Sequence, residues 1–436
     1  MRTRRQRRRR NRLHTEQPVE RTLNRVPAMR GGLADRFLRD QLLDRLVRLG
    51  EGRITIDEVG GEARSFGPGG GLHATIAVHS PRFYRDVALG GSLGAAEGFL
   101  EAAWSCADLT SLFRIMLRNV SVMDGFETGL ARMGAAAARR VLNLRRNTVE
   151  GSRRNIHEHY DLGNDFFRLF LDESLTYSAA IFERPESTLF DASMAKIDRL
   201  CRKLDLGPDD HLLEIGTGWG ALAVHAAKRY GCRVTTTTIS REQYEVARER
   251  IAAAGLEDRI TLLLEDYRGL KGRFDKLVSV ETIEAVGHEY LGEYFRACSR
   301  LLTPEGTMAI QAIVMAEHRY AQYLRTPDFI QRYVFPGSHI PAVSALMKAT
   351  AQGTDLTPMH LEDITPHYAR TLREWRQRFQ GNLDGVRALG YPDRFLRLWD
   401  YYLCYCEAGF EERNVLDIQL VLGRPRMDRA PILGAI

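Results

Sequence analysis

Three segments of this chain combine glycine, acid and aromatic residues in a way that suits a nucleoside. The first, Glu214-Ile215-Gly216-Thr217-Gly218-Trp219-Gly220, follows a short apolar run. Glycines there let a ligand approach the backbone and leave N–H groups open at a helix start. Their E-x-G-x-G-x-G spacing differs from the dinucleotide G-x-G-x-x-G fingerprint, which favours a nucleoside over a pyrophosphate. The second, Thr237 to Gln243, ends the next strand-like run, RVTTTT, where polar side chains reach ribose hydroxyls. The third is Glu265-Asp266-Tyr267-Arg268. An acid there accepts from an adenine amino group, and an aromatic covers the ring. Each segment alone is more often a plain loop or cap. Taken in this order, they point to S-adenosylmethionine.

Such a site needs a sheet whose strand ends converge. From residue 211, HLLEI, RVTTTT, ITLLL, FDKLVSV and TMAIQAIV read as strands, with helices at Ala221 to Tyr230, at REQYEVARERIAAAG and at YLGEYFRACSRLL. This alternation predicts a doubly wound α/β sheet of the Rossmann-like class. HLEDI and VLDIQLVLG are expected as further edge strands. Upstream, residues 33–49 have helical apolar spacing and end at a glycine. RITIDEV and HATIAVHS read as strands separated by a turn, SFGPGGG, with helical segments following to about residue 142. This predicts a smaller N-terminal α+β domain. The expected boundaries are a basic tail at 1–30, an N-terminal domain at 31–150 and a catalytic domain at 151–436, with an arginine-rich linker near 143–154.

The chain's 436 residues, 44% apolar and 27% charged, fit an ordinary globular protein of two domains. Its net charge of +6 is local. Eleven arginines against Glu16 and Glu20 make residues 1–30 about +9, leaving about −3 for the remainder. That apolar-poor segment is expected to be disordered. It suits a tether to anionic lipid, a nucleic-acid arm or a plain solvated tail; a nucleic-acid partner is not expected. No run reaches the ~18 apolar residues of a membrane span. The expectation is a cytoplasmic enzyme, peripheral at the inner membrane surface. Six scattered cysteines lack zinc-like spacing and read as free thiols.

The chain resembles the cyclopropane fatty acid synthases and the related mycolic acid cyclopropane synthases. The motifs are Asn155 to Phe167 (NIHEHYDLGNDFF), Leu175-Thr176-Tyr177-Ser178, Leu213 to Gly220, Asp266-Tyr267-Arg268, Tyr333 to Pro341 (YVFPGSHIP) and Pro366-His367-Tyr368. Gly91 to Gly94, Glu97, Trp104 and Asp108-Leu109 look like the N-terminal domain of the longer, phospholipid-acting members. The resemblance implies cofactor contacts from Tyr177, Ser178, Gly216, Gly218, Thr238, Ile239, Gln243, Asp266 and Tyr267. Glu284 falls on the family's active-site glutamate and Tyr368 on its active-site tyrosine. His157 and His159 have the look of a metal pair, but the motif places them at the cofactor entrance, and no metal is expected. The implied substrate is an unsaturated phospholipid or fatty acyl chain, and a homodimer would be unsurprising.

In this family the methyl group is added to an alkene, leaving a carbocation that a carboxylate and aromatic faces stabilise. Ring closure then requires a base, thought to be a bound bicarbonate. Several of its holders differ here: Ala179 replaces a cysteine, Gln311 a histidine, Glu281 a glycine, and Ala285 a common histidine. These changes argue against bicarbonate. Two outcomes are open. Either Glu281 is itself the base, or ring closure is lost and a methylene- or methyl-branched chain results, the latter with a flavin or nicotinamide reductant. Small-molecule N-methylation and a catalytically silent lipid- or nucleic-acid-binding role are the competing functions. The clusters Tyr320, Tyr323, Phe329, Tyr333 and Phe335, and Tyr401, Tyr402 and Tyr405, suit an acyl tunnel or core packing; the second is read as core.

Overall fold

The computed structural model describes residues 32–123, 162–326, 328–428 and 432. The basic tail, the arginine-rich linker, the 150/151 boundary, His157 and His159 lie outside these residues.

The N-terminal part carries a four-stranded sheet, in the order β2-β1-β3-β4, from β1 (Gly52–Glu58), β2 (Arg64–Gly69), β3 (His73–Val78) and β4 (Trp104–Cys106). Helices α1 (Leu33–Leu46), α2 (Arg82–Leu100) and α3 (Leu109–Arg118) pack with it. In β1 the inward residues Ile54 and Ile56 alternate with more exposed neighbours, as the period-two pattern requires. The segment RSFGPG, read as part of a turn, is instead the edge strand β2, paired antiparallel with β1. Its proline and glycines are tolerated because an edge strand has one unpaired side.

The second sheet has seven strands in the order β10-β11-β9-β8-β5-β6-β7. These are β5 (His211–Ile215), β6 (Arg233–Thr238), β7 (Ile260–Leu264), β8 (Phe274–Val280), β9 (Leu302–Met315), β10 (Thr357–Asp363) and β11 (Val415–Gly423). Helices α4 (Leu189–Leu204), α5 (Ala221–Tyr230), α6 (Arg241–Ala253) and α7 (Leu291–Leu301) alternate with them, and α8 (Thr365–Gly381) and α9 (Asp393–Glu411) flank the last strands. Strands β5 to β9 are parallel. The doubly wound expectation holds. Of the two strands expected at an edge, however, only β10 lies there. VLDIQLVLG forms β11 inside the sheet, antiparallel to both β9 and β10. Its run of buried residues is what a strand covered on both faces needs.

One apolar core joins the N-terminal sheet to helices α8 and α9. Tyr401 on α9 lies 5.4 Å from Phe99 and 4.8 Å from Phe113, ring centre to ring centre. At the margin, Arg114 and Arg118 both pair with Glu412, and Thr110 donates to Glu407. Among the described residues, no helix is long and apolar enough to cross a membrane.

Candidate active site

The strand order reverses direction between β5 and β8, and the crevice at their carboxyl ends is where open α/β sheets bind ligands. The glycine loop leaves β5 there, and Glu281 and Glu284 leave β8. Gly216 takes a left-handed φ of +95°, and a Cβ on it would lie 2.4 Å from Thr282 Cγ2. Gly218 (φ +52°) is the reverse case, since a Cβ there meets nothing within 4 Å. One glycine therefore permits close packing beneath the loop, and the other leaves open space above it. The N–H groups of Gly216 and Thr217 both donate to Thr237 O at 3.0 Å, tying the loop to β6.

All nine residues expected at the cofactor line one cavity of about 650 Å³. Thr238 Oγ1 donates to Gln243 Oε1 at 2.9 Å, so these two fix each other. Asp266 caps its own short turn through Arg268 N (2.9 Å), and its carboxylate is paired with the Arg268 guanidinium (2.8 Å). The same guanidinium sits 5.5 Å from the Tyr267 ring centre, holding that ring in place. Tyr177 packs against Phe167 and Trp375 and shares a hydrogen bond of 3.1 Å with Tyr402. The described part of the entry motif reaches the glycine loop, where Trp219 Nε1 donates to Asn164 Oδ1 at 2.7 Å.

Beside this half lies a buried acid cluster. Glu281 accepts from Ala179 N–H, from Gln311 Nε2 and from Tyr368 O–H, each at 2.8 Å. It adopts a left-handed φ of +47°, a conformation natural to the glycine that the family carries. Glu284 Oε1 accepts from Ile313 N–H at 2.6 Å, while its buried Oε2 has no partner among the described residues. Burial first, and then the charge of Glu281, push the Glu284 carboxyl up to about 8. Its backbone is held by the YVFPGSHIP segment, through His339 N–H donating to Glu284 O at 2.7 Å. The three expected catalytic residues are thus brought together. Ala179, Gln311 and Tyr368 all direct their donors at the Glu281 carboxylate. A further anion would meet that carboxylate rather than free donors, so these residues do not fit bicarbonate.

A carboxyl whose folded pKa is raised keeps its proton in the native state. Its contribution to stability is therefore whole below the unfolded value of 4.5 and is lost as pH rises towards about 8. Glu284→Gln is expected to shrink the fall in melting temperature between pH 5 and pH 9. An unchanged fall would show that Glu284 is not held neutral.

Two residues of the site carry no motif. Lys196 on α4 is 1% exposed, and its Nζ donates to Ser178 Oγ at 2.6 Å. Burial lowers its pKa, opposed first by the charge of Glu281. The sequence signal was available: Lys196 lies in phase with Leu189, Ala192, Ser193 and Leu200, on the buried stripe of the helix. Asp417 is the acid inside the apolar strand β11, and it is fully buried. Tyr401, Tyr402 and Tyr405, read as core rather than site, line the cavity; the first two are buried and Tyr405 is partly so. A side chain facing a closed cavity excludes solvent as a core residue does, so burial pattern alone does not separate the two.

The mycolic acid cyclopropane synthetase family model matches residues 148–420. The chain belongs to that family. It is an S-adenosylmethionine-dependent methyltransferase, with S-adenosylmethionine as its cofactor. It is 39% identical over 352 residues to the tuberculostearic acid methyltransferase UfaA1 of Mycobacterium tuberculosis, covering 79% of this chain and 82% of the relative. It is 34% identical over 361 residues to the cyclopropane-fatty-acyl-phospholipid synthase of Escherichia coli strain K12, covering 81% and 89%. The crystal structure of mycolic acid cyclopropane synthase CmaA1 complexed with SAH and CTAB superposes with a TM-score of 0.58 at 31% identity, covering 62% of this chain and 98% of that one.

Proposed function

We propose that this chain methylates the double bond of an unsaturated fatty acyl chain and that Glu281 is the base that completes the reaction. The observation that carries the reading is the Glu281 carboxylate, held by three donors within the cavity that the glycine loop lines. S-adenosylmethionine, when bound, supplies an electrophilic methyl group. Tyr177, Ser178, Gly216, Gly218, Thr238, Ile239, Gln243, Asp266 and Tyr267 are the residues proposed to hold it.

The rest of the cavity favours an acyl chain. It extends from the acids past Tyr401 and Phe329 to Ile54, Ile76 and Phe113 of the N-terminal part, a largely apolar reach longer than a small amine would fill. The named substrates of the relatives are of the same chemical class. The arginine-rich N-terminus favours an anionic lipid surface as the place where substrate is met.

After methyl addition the positive charge lies on the neighbouring chain carbon. Glu284, Glu281 and the tyrosine rings surround the space where it forms, and the apolar lining keeps water from trapping it. If a hydride shifts from the methyl-bearing carbon to its neighbour, the charge moves to the methyl-bearing carbon. Glu281 then takes a proton from the methyl group, and the C–H electron pair becomes the double bond of a methylene branch. Without the shift, the same pair closes a cyclopropane ring. The branched product is the first reading, favoured by similarity to the tuberculostearic acid methyltransferase; the ring is the second, favoured by similarity to the cyclopropane synthase. Reducing the methylene to a methyl branch requires a hydride and a proton from a separate flavin or nicotinamide reductant.

Vesicles of cis-monounsaturated phospholipid, the protein and S-adenosylmethionine with a trideuterated methyl group provide the test. Acyl products retaining two deuterium atoms are expected, and chromatography against ring and methylene standards assigns them. Retention of all three would remove Glu281 from the role of taking a methyl proton. A labelled soluble amine with no labelled lipid would overturn the substrate class.

A further inference from the structure

Close to Glu281, on the other side of a shared Gln311 amide contact, is a second acid that no motif accounts for. Asp417 on β11 is fully buried, one strand away from Gln311 on β9. Gln311 Nε2 carries two hydrogens, yet it faces three acceptors: Glu281 Oε1 at 2.8 Å, and Ala179 O and Asp417 Oδ2 at 3.3 Å. On the other side of that amide, Gln419 Nε2 donates to Gln311 Oε1 at 3.0 Å. Glu281 receives two further donors, from Ala179 and Tyr368. Asp417 receives only that shared amide hydrogen, and its Oδ1 has no partner among the described residues.

A buried carboxylate without full donors is too costly to remain ionised. The charges around it agree. The charge of Glu281 acts against ionisation of Asp417, and the charge of Lys196 acts for it. The neighbouring Tyr368 and Tyr402 hydroxyls are held neutral, their pKa values pushed up chiefly by burial. With Glu284 held neutral, two acids, Glu281 and Asp417, share one ammonium whose own charge burial disfavours. Glu281 has the donors an anion needs, and Asp417 lacks them.

We propose that Asp417 is a neutral carboxylic acid that gives its proton in a hydrogen bond to Glu281, so that the pair carries one negative charge and Glu281 bears it. Asp417 is then a positioning residue: it keeps Glu281 ionised and able to accept the substrate proton. This role rests on the reading of Glu281 as base. Burial drives the Asp417 carboxyl well above its usual range, with the charge of Glu281 acting in the same direction.

Infrared spectroscopy of the full chain at neutral pH tests the proton directly. A protonated-carboxyl C=O band should be present and should lose the Asp417 component in Asp417→Asn, which folds around the same shape. Steady-state turnover on cis-monounsaturated vesicles supplies the second readout. Asp417→Leu is expected to lose about tenfold in kcat, with the acid limb of its pH profile moved up by about one unit, because Glu281 no longer receives the donor. Asp417→Asn, whose amide still donates, should recover most of that loss and lack the alkaline fall due to Asp417 ionisation. A C=O band identical in wild type and Asp417→Asn overturns the proposal, as does an Asp417→Asn enzyme as impaired as Asp417→Leu. If the band behaves as expected but Glu281→Gln is fully active, the proton assignment stands and the base is another group.

Discussion

Glu281→Gln is expected to lower turnover on an unsaturated acyl chain by about 10³-fold, while binding of S-adenosylhomocysteine changes little. The size follows from the role, since a positioned base contributes about 10² to 10⁴. Glutamine keeps the volume and one acceptor oxygen, so the neighbouring Ala179, Gln311 and Tyr368 need move little. What it lacks is a lone pair basic enough to take a proton from a methyl group. Calorimetry with S-adenosylhomocysteine and mass spectrometry of the acyl products separate the two effects. Wild-type product yield from Glu281→Gln would sink the assignment. Glu281→Gly gives a complementary result. It relieves the left-handed backbone strain and uncovers the Ala179 N–H and Tyr368 O–H, so added acetate or bicarbonate should restore part of the lost activity. No rescue together with normal folding would mean that the donors do not form an anion cradle.

Gly216→Ala should weaken S-adenosylhomocysteine binding by about 100-fold or more and reduce turnover accordingly. Two costs coincide at this position. A non-glycine residue in such a backbone conformation costs ~1–3 kcal/mol. The added Cβ would also sit 2.4 Å from Thr282 Cγ2, and Thr282 has little freedom to turn aside. Its hydroxyl is bonded to Ser279 Oγ at 2.5 Å, which itself donates to Ile215 O at 3.1 Å. Either the loop lifts off β5 or Thr282 moves, and Thr282 follows Glu281 directly. The substitution therefore disturbs both halves of the site. Gly218→Ala is the control, because its Cβ meets nothing within 4 Å among the described residues and the cost there is backbone strain plus any overlap with the cofactor. Equal, near-native affinity in both variants would show that the loop does not seat the cofactor.

The sequence by itself determined the parallel half of the large sheet and which three loops line the cavity at its carboxyl edge. Short apolar runs punctuated by glycine or polar loops fix where strands end, and in a parallel sheet those ends converge by topology. Glu214 to Gly220, Thr237 to Gln243 and Glu265 to Arg268 therefore came together with no knowledge of packing. The departures at Ala179, Glu281 and Gln311 were also legible, because they stand inside motifs of fixed spacing.

What only the tertiary structure decided lies on residues brought together across the fold. Asp417 is about a hundred positions from Gln311, and its partnership exists because β11 returns antiparallel beside β9. Lys196 reaches Ser178 from a helix whose buried stripe gives no hint of what lies opposite. Tyr401 and Tyr402 show the same limit, since an aromatic helix face reads alike whether it fills a core or walls a cavity. Local periodicity reports which side chains leave water. It does not report which charged or polar groups they meet once inside, and here those meetings determine where the proton sits.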